Sequence, residues 1–577
     1  MIRGLSSRYR LAIRAGMALL FLLWTAHTFA QTFEQRVDRY IHSLPADQEF
    51  QGVIFAASGG RVYLNKGYGL ASREFNVPNG PDTRFQIGSI TKCFTAALVL
   101  KMAELGRLDL DGTISDYLAY FPADPGKRIT VRHLLTHTSG LKNHYQAKPD
   151  YWFKDDKVFH VPRELVSLFA SLPRAHEPGA DFTYSSPGYY ILGAILERVG
   201  GKSFAELLGE YVFGPLGMKA TRVENNREVI GMTATGYGRG LRGLIRAPFE
   251  DKSTALGAGD ITTTAYDLYL WDQGLRAGKI LSPDSLALLY KPVIPDSIFT
   301  PGGLVMSAPY NEGKKTVRFI RLSGSSAGYA SAMDRTFDPD ACIIVLSNVN
   351  EAESAAILDN VGDFLTRYDL GAAIGKPGPE TLTPPAGMEV RASDAERILG
   401  FYRTAKGSVS GVVRGREGVY LLDLYSGGMS SALRLLAESD GSFSAGWPAA
   451  FKCRFAPDEK GNGLVLTRSR GDRVLSTWQK IDAGKVEAGP ASAPGLAGSY
   501  ASVELQKTYR FVERASGFVA EKFLGDSDLR LTPLDKDLFG CELGFLRFSR
   551  YADGSISGFT FIAPGLDALI GSKFVKI

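Results

Sequence analysis

Two residues spaced three apart carry the first chemistry in this chain. Ser89 and Lys92 lie in FQIGSITKCFTAALVLKMAELG (85–106), which reads as a short strand, a turn at Gly88 and a helix. Three residues along a helix bring both side chains to one face. Ser89 stands where the helix starts, beside backbone N–H groups that have no partner in the helix and can stabilise negative charge. From 90 to 105 most positions are apolar or small, so this helix is expected to be enclosed on most sides. A lysine in such a wall is pushed towards its neutral form, because burial disfavours the ammonium. Neutral lysine beside serine is a base beside a nucleophile. The competing reading is a capping serine followed by a solvated lysine; a lone S-x-x-K arises by chance about once or twice in a chain this long.

Further along, Tyr184, Ser185 and Ser186 sit in a loop that enters an apolar helix expected over 189–199. A tyrosine and a serine presented there can act as proton carrier and hydrogen-bond donor. ITVRHLLTHTSGL (129–141) predicts a short helix capped by Thr130, ended by Gly140, with His133 and His137 on one face. Two histidines at i and i+4 raise zinc, but the Glu of the metalloprotease pattern is missing between them. They read instead as packing and hydrogen-bonding residues behind the site. No C-x-x-C or His/Cys cluster suggests a metal elsewhere.

The elements that must position these groups follow from the pattern. A helix is expected over 37–44. GVIFAASGG and RVYLNKGYGLAS form a hairpin turning at Gly59-Gly60. Residues 108–118 are a turn-rich connection. Residues 142–182, with Tyr145, Tyr151, Trp152, Phe153 and Phe159, read as an irregular loop, either a pocket wall or a surface excursion. Residues 203–300 look mainly helical, with a capped helix at 257–275, and 316–350 return to strands around an Asp338-Pro339-Asp340 turn. Strands, then helices, then strands suggest an α+β fold: an antiparallel sheet with packed helices and an inserted helical subdomain.

Length and charge set the frame. At 577 residues the chain is too long for one core. Arg3, Arg8, Arg10 and Arg14 fall in the first thirty residues, which hold no acid; taking those four from the net +5 leaves +1. So near-neutral a remainder gives no reason to expect nucleic acid or an anionic membrane as partner. Residues 1–30 read as a signal peptide, with an apolar core at 16–24 too short to span a bilayer and a cleavage-like Thr28-Phe29-Ala30. Export to a bacterial periplasm is therefore expected. The cysteines, Cys93, Cys342, Cys453 and Cys541, are too few for a disulfide framework, although a Cys453–Cys541 bridge is compatible with export.

Three elements in order, Ser89-x-x-Lys92, Tyr184-Ser185-Ser186 and Leu322-Ser323-Gly324, resemble the serine β-lactamase and penicillin-binding protein superfamily. The likeness runs over about residues 35–365. It is nearest to the branch of class C β-lactamases, D-alanyl-D-alanine carboxypeptidases, D-aminopeptidases and family VIII carboxylesterases. RFQIGSITKCFTA (84–96), RHLLTHTSGL (132–141), PLGMKAT (215–221) and SGSSAGY (323–329) support it. The resemblance implies that Ser89 is the acylated nucleophile, Lys92 its general base and Tyr184 a second proton-transfer group. It also implies an oxyanion hole from the N–H groups of Ser89 and Ser325, substrate contacts from Ser186, Leu322, Ser323 and Gly324, and no cofactor. Two positions depart from it. Ser186 stands where Asn is frequent, a mild change. Leu322 stands where Lys or His is usual, and strand alternation turns Arg321 the other way. That argues against D-Ala-D-Ala carboxypeptidase and efficient β-lactamase activity.

The last third separates into copies. Residues 372–390 read as a linker, 391–481 and 496–577 as β-rich domains, and 482–495 as a second linker, behind a hydrolase domain at 31–371. LGFYRTAKG (399–407) and AGSYASVEL (497–505) repeat one motif, with Tyr402 matching Tyr500 and Asp553-Gly554 as a hairpin turn. The copies resemble lipocalin-like domains of D-aminopeptidase relatives. The expected whole is a secreted serine hydrolase cleaving an amide or ester in a small-molecule or peptide substrate, with a homo-oligomer left open. The alternative is a non-hydrolytic or slowly deacylating penicillin- or muropeptide-binding protein.

Overall fold

The computed structural model describes residues 32–44, 49–143, 155–240, 243–293, 299–310, 315–336 and 340–349, with Ile357, Val361 and Ile398 and, from 400 to 576, mainly the strands of the C-terminal third. Both expected linkers, the first thirty residues, Tyr145, Tyr151, Trp152, Phe153, Asp338-Pro339 and Asp553-Gly554 lie outside it, as does the Cys541 side chain.

A seven-stranded antiparallel sheet carries the site. Its strands are β1 (Gly52–Ser58), β2 (Arg61–Tyr68), β3 (Phe299–Thr300), β4 (Gly303–Tyr310), β5 (Lys315–Ser326), β6 (Tyr329–Thr336) and β7 (Ala341–Ser347). They lie in the order β3-β4-β5-β6-β7-β1-β2. The β1–β2 hairpin turns where expected, on Gly59 and Gly60 at φ 55° and 78°, the left-handed pair such a turn demands. On one face of the sheet, Phe55, Leu322, Met333 and Ile344 pack against the helices Thr91–Glu104 and Ala265–Arg276. On the other, Ile54, Ala332 and Ile343 meet Phe33, Val37 and Ile41 of the helix Phe33–His42. The α+β architecture expected from the pattern is the one observed.

Several boundaries differ. The first helix starts at Phe33 because Thr32 and Gln35 form a capping box. The helix at 129–141 is only Val131–Leu135; His137 lies beyond it at φ 56°, so the two histidines do not share a helical face. Within the stretch read as irregular, Pro162–Ala170 is a helix with proline at its first turn. The helix expected at 257–275 begins only at Ala265, capped by Thr264. The β-branched residues before it form the strand Ile261–Thr263, between Phe85–Gln86 and Arg222–Val223. That strand, with the ribbon of Tyr237–Gly240 and Gly243–Arg246, makes 203–300 less helical than expected.

The C-terminal third forms two closed antiparallel barrels, each of eight strands. Both close on the matched tyrosines: Tyr402 pairs with Lys480 and Tyr500 with Lys576. Each hydroxyl, fully buried, donates to the carbonyl four residues back, of Ile398 at 2.7 Å and of Leu496 at 2.6 Å.

Candidate active site

Ser89 is held by backbone on both sides. Phe85–Gln86 pairs with Ile261–Thr263, the Ile87 N–H donates to the Ile261 carbonyl at 3.0 Å, and Gly88–Ile90 make one 3-10 turn before the helix Thr91–Glu104. Gly88 is at φ 49°, and a Cβ there would stand 2.5–2.7 Å from Ser325 backbone atoms. On β5, a Cβ on Gly324 would stand 1.9 Å from the Ile87 carbonyl oxygen and 2.9 Å from the Ser89 nitrogen. Two glycines thus let the backbones of Ser89 and Ser325 lie against each other. Ser331 Oγ secures the contact by donating to the Ile87 carbonyl at 2.8 Å.

The helix is buried from Thr91 to Leu100, lysine included: Lys92 is 5% exposed. Its Nζ donates to Ser89 Oγ at 3.1 Å and to the Ala258 carbonyl at 2.8 Å. It lies 5.1 Å from the centre of the Tyr184 ring and 5.8 Å from that of Tyr189. Tyr184 reaches the same oxygen, its hydroxyl donating to Ser89 Oγ at 2.8 Å. Ser185 caps the following helix, accepting from the Gly188 N–H at 3.2 Å, so that helix is Ser186–Gly200 and starts earlier than expected. One hydroxyl oxygen touched by both an amine and a phenol can lose its proton to one group while the other supplies a proton to a departing atom.

The sheet side is different. Leu322 is buried and faces the helices, lining a small cavity with Cys93, Trp271, Leu275 and Met333. Arg321 faces the opposite side, ion-paired with Asp334 across the β5–β6 ladder. Ser323 and Ser325 are exposed, and the Ser186 N–H donates to Asn143 Oδ1 at 3.1 Å.

Sequence reasoning missed the turn 257–260. It supplies the Ala258 carbonyl to Lys92 and the Gly257 carbonyl to Thr95 Oγ1 at 2.6 Å. Asp260 closes it, accepting from the Gly257 N–H at 3.1 Å. Burial pushes the Asp260 carboxyl up to about 7. The Gly-Ala-Gly run was the available signal, a poor start for a helix. Among the described residues no His, Cys, Asp or Glu cluster could hold a metal, and no helix is long and apolar enough to cross a membrane.

A sheet backed by helices, with serine, lysine and tyrosine converging at a helix start, defines a class. The family model described as Beta-lactamase matches residues 31–367, and the chain belongs to that family. Bacillus subtilis (strain 168) PbpX is 30% identical over 262 residues, 45% of this chain and 62% of that one, so this chain spans under two thirds of it. A protein of the same strain named a penicillin-binding protein is 28% identical over 420 residues, 68% of this chain and 88% of its own length. An octameric penicillin-binding protein homologue from Pyrococcus abyssi shares the fold, with a TM-score of 0.52 at 23% identity, over 77% of this chain and 99% of that one.

Proposed function

We propose that this protein is an exported serine hydrolase that cleaves an amide or ester bond through an acyl-enzyme on Ser89. One observation carries the reading: Ser89 Oγ lies within hydrogen-bond reach of both Lys92 Nζ and Tyr184 Oη. Ser89 Oγ attacks the carbonyl carbon, and Lys92 takes its proton as general base. Tyr184 is the second proton-transfer group, and together the two side chains move that proton to the leaving nitrogen or oxygen. Water then attacks the Ser89 ester, freeing the acid and restoring the hydroxyl. The N–H groups of Ser89 and Ser325, fixed before charge develops, form the oxyanion hole. Ser186, Ser323 and Gly324 line the substrate path.

Leu322 decides the substrate class. It stands where the family resemblance leads one to expect a cation, and Arg321 is turned away and engaged with Asp334. Leu322 is packed among Cys93 and Trp271, so position 322 presents no cation to the site, and a free carboxylate entering there loses water without gaining a partner, at a cost of roughly several kcal/mol. Neutral acyl esters and amides are the substrates this wall favours. The same leucine, with the name of the 28%-identical relative, supports a second reading, a penicillin- or muropeptide-binding protein whose acyl-enzyme turns over poorly or never forms.

The signal peptide at 1–30, the domain division at 31–371, 391–481 and 496–577, and the lipocalin-like nature of the barrels belong to this proposal. The barrels either shape substrate access, support a homo-oligomer, or are structural appendages. The test pairs a fluorescent β-lactam with p-nitrophenyl esters and D-amino-acid anilides, following label and product together. Turnover of a neutral ester with transient Ser89 labelling is expected, and Ser89→Ala should lose both. Persistent label without product selects the second reading; labelling that survives in Ser89→Ala places the nucleophile elsewhere.

A further inference from the structure

Tyr184 has a neighbour that holds it from three directions. The Thr183 N–H donates to the His137 carbonyl at 2.8 Å, and the Ser185 N–H donates to His137 Nδ1 at 3.1 Å. The residues on either side of Tyr184 are therefore tied to one histidine. Its ring also lies against the phenol, with centroids 4.6 Å apart at 33°, and against Tyr189 at 5.0 Å. His137 adopts φ 56°, a conformation uncommon outside glycine, and this backbone aims carbonyl and ring at the same loop.

The ring is built to stay neutral. Burial, and after it the nearby Lys92 charge, push the imidazole down to about 3. With Nδ1 accepting from Ser185, the proton of the neutral ring sits on Nε2. A protonated ring would lose that acceptor and bring a positive charge up to the Lys92 amine.

We propose that His137 is a positioning residue, which clamps the Tyr184 loop on both flanks and so fixes the phenol at Ser89. It touches no reacting atom and acts through Tyr184. The inference rests on the reading of Ser89 and Tyr184 given above. What it adds is the origin of the 2.8 Å contact: a loop residue keeps its place because one histidine grips the backbone before it with its carbonyl and the backbone after it with its buried ring.

Single-turnover acylation of the full chain tests this, with the fluorescent β-lactam and a p-nitrophenyl ester as probes and the first-order rate constant as readout. That constant does not depend on how much protein is folded. His137→Ala removes ring and acceptor and should slow acylation by about ten- to a hundred-fold, with KM changed less than about two-fold. His137→Asn tolerates the left-handed backbone and returns an acceptor to the Ser185 N–H, so it should recover part of the rate and serves if the alanine variant fails to fold. In a Tyr184→Phe background the alanine substitution should change the rate less than about three-fold, because both changes act on one contact. A rate within two-fold of wild type in His137→Ala, or an undiminished effect in the Tyr184→Phe background, overturns the inference. A wild type that never forms a Ser89 adduct overturns the proposed function itself.

Discussion

On the helical side of Ser89 the groups that can move protons are side chains, Lys92 and Tyr184, and each is held: the Ala258 carbonyl grips one, and the carbonyl and ring of His137 tie the residues flanking the other. On the sheet side β5 brings main chain up to Ser89 and keeps its side chains out of the way. Gly324 has none, Ser325 points outward, and Leu322 is sunk among Cys93 and Trp271. On the proposed reading, one wall carries the groups for proton transfer while the other offers a leucine where the family resemblance leads one to expect a cation. On that reading, reaction type and substrate choice reside on different walls.

Breaking the helical wall should cost most. Lys92→Ala should slow acylation by about a thousand-fold or more, as loss of one member of a reacting unit does, while a fluorescent substrate analogue still binds; a loss under ten-fold would remove Lys92 from the role of base. Breaking the sheet wall comes next. The methyl of Gly324→Ala would drive β5 away from the Ile87 carbonyl and open the gap between the Ser89 and Ser325 amides. Acylation should fall by about a hundred-fold or more, measured alongside thermal unfolding to separate displacement from collapse. Normal rates would mean that the Ser325 amide takes no part.

A smaller effect would sharpen the contrast. Leu322→Lys or Leu322→His should raise kcat/KM for carboxylate-bearing substrates relative to neutral esters, by about ten-fold for each 1.4 kcal/mol recovered. An unchanged ratio, or a wild type that already prefers the carboxylate, would make Leu322 a packing substitution. The last effect falls on stability. The Asp260 carboxyl, raised by burial from its ordinary 3.8 to about 7, holds its proton more tightly folded than unfolded. Its contribution is therefore greatest below about pH 4, falls as pH rises from 4 to 7, and is level above that. Asp260→Asn should remove this slope and gain up to roughly 4 kcal/mol over wild type at pH 8, with little difference at pH 4. Denaturant titrations at the two pH values decide it; parallel losses at both would show that the carboxyl serves only the turn.

Much of this was legible before any coordinates. The S-x-x-K spacing and the Tyr-Ser-Ser loop predicted residues that meet at one oxygen, and Gly59-Gly60 predicted its turn. The supports were not legible, because they are a backbone carbonyl and a histidine set by one left-handed residue. Hydrophobic periodicity reports which face of an element is buried; it is blind to the Ala258 carbonyl, and it drew 257–275 as one helix across the turn that presents it. His137 was placed on a helix because its spacing from His133 fits one, whereas a single left-handed residue leaves no periodic trace.

The tyrosines of the C-terminal barrels bear on how the chain assembles itself. Neighbouring domains of similar sequence can exchange strands while folding, a failure common in repeat proteins. Here each barrel's first strand carries a hydroxyl that donates to the carbonyl four residues back, and its closing partner comes from the same copy, Lys480 for Tyr402 and Lys576 for Tyr500. A strand lent to the other copy would have to bring its own short lead-in along or bury the phenol without a partner. In each copy the strand that opens the barrel is thus anchored to its own lead-in at one end of the bond and to its own last strand across the ladder.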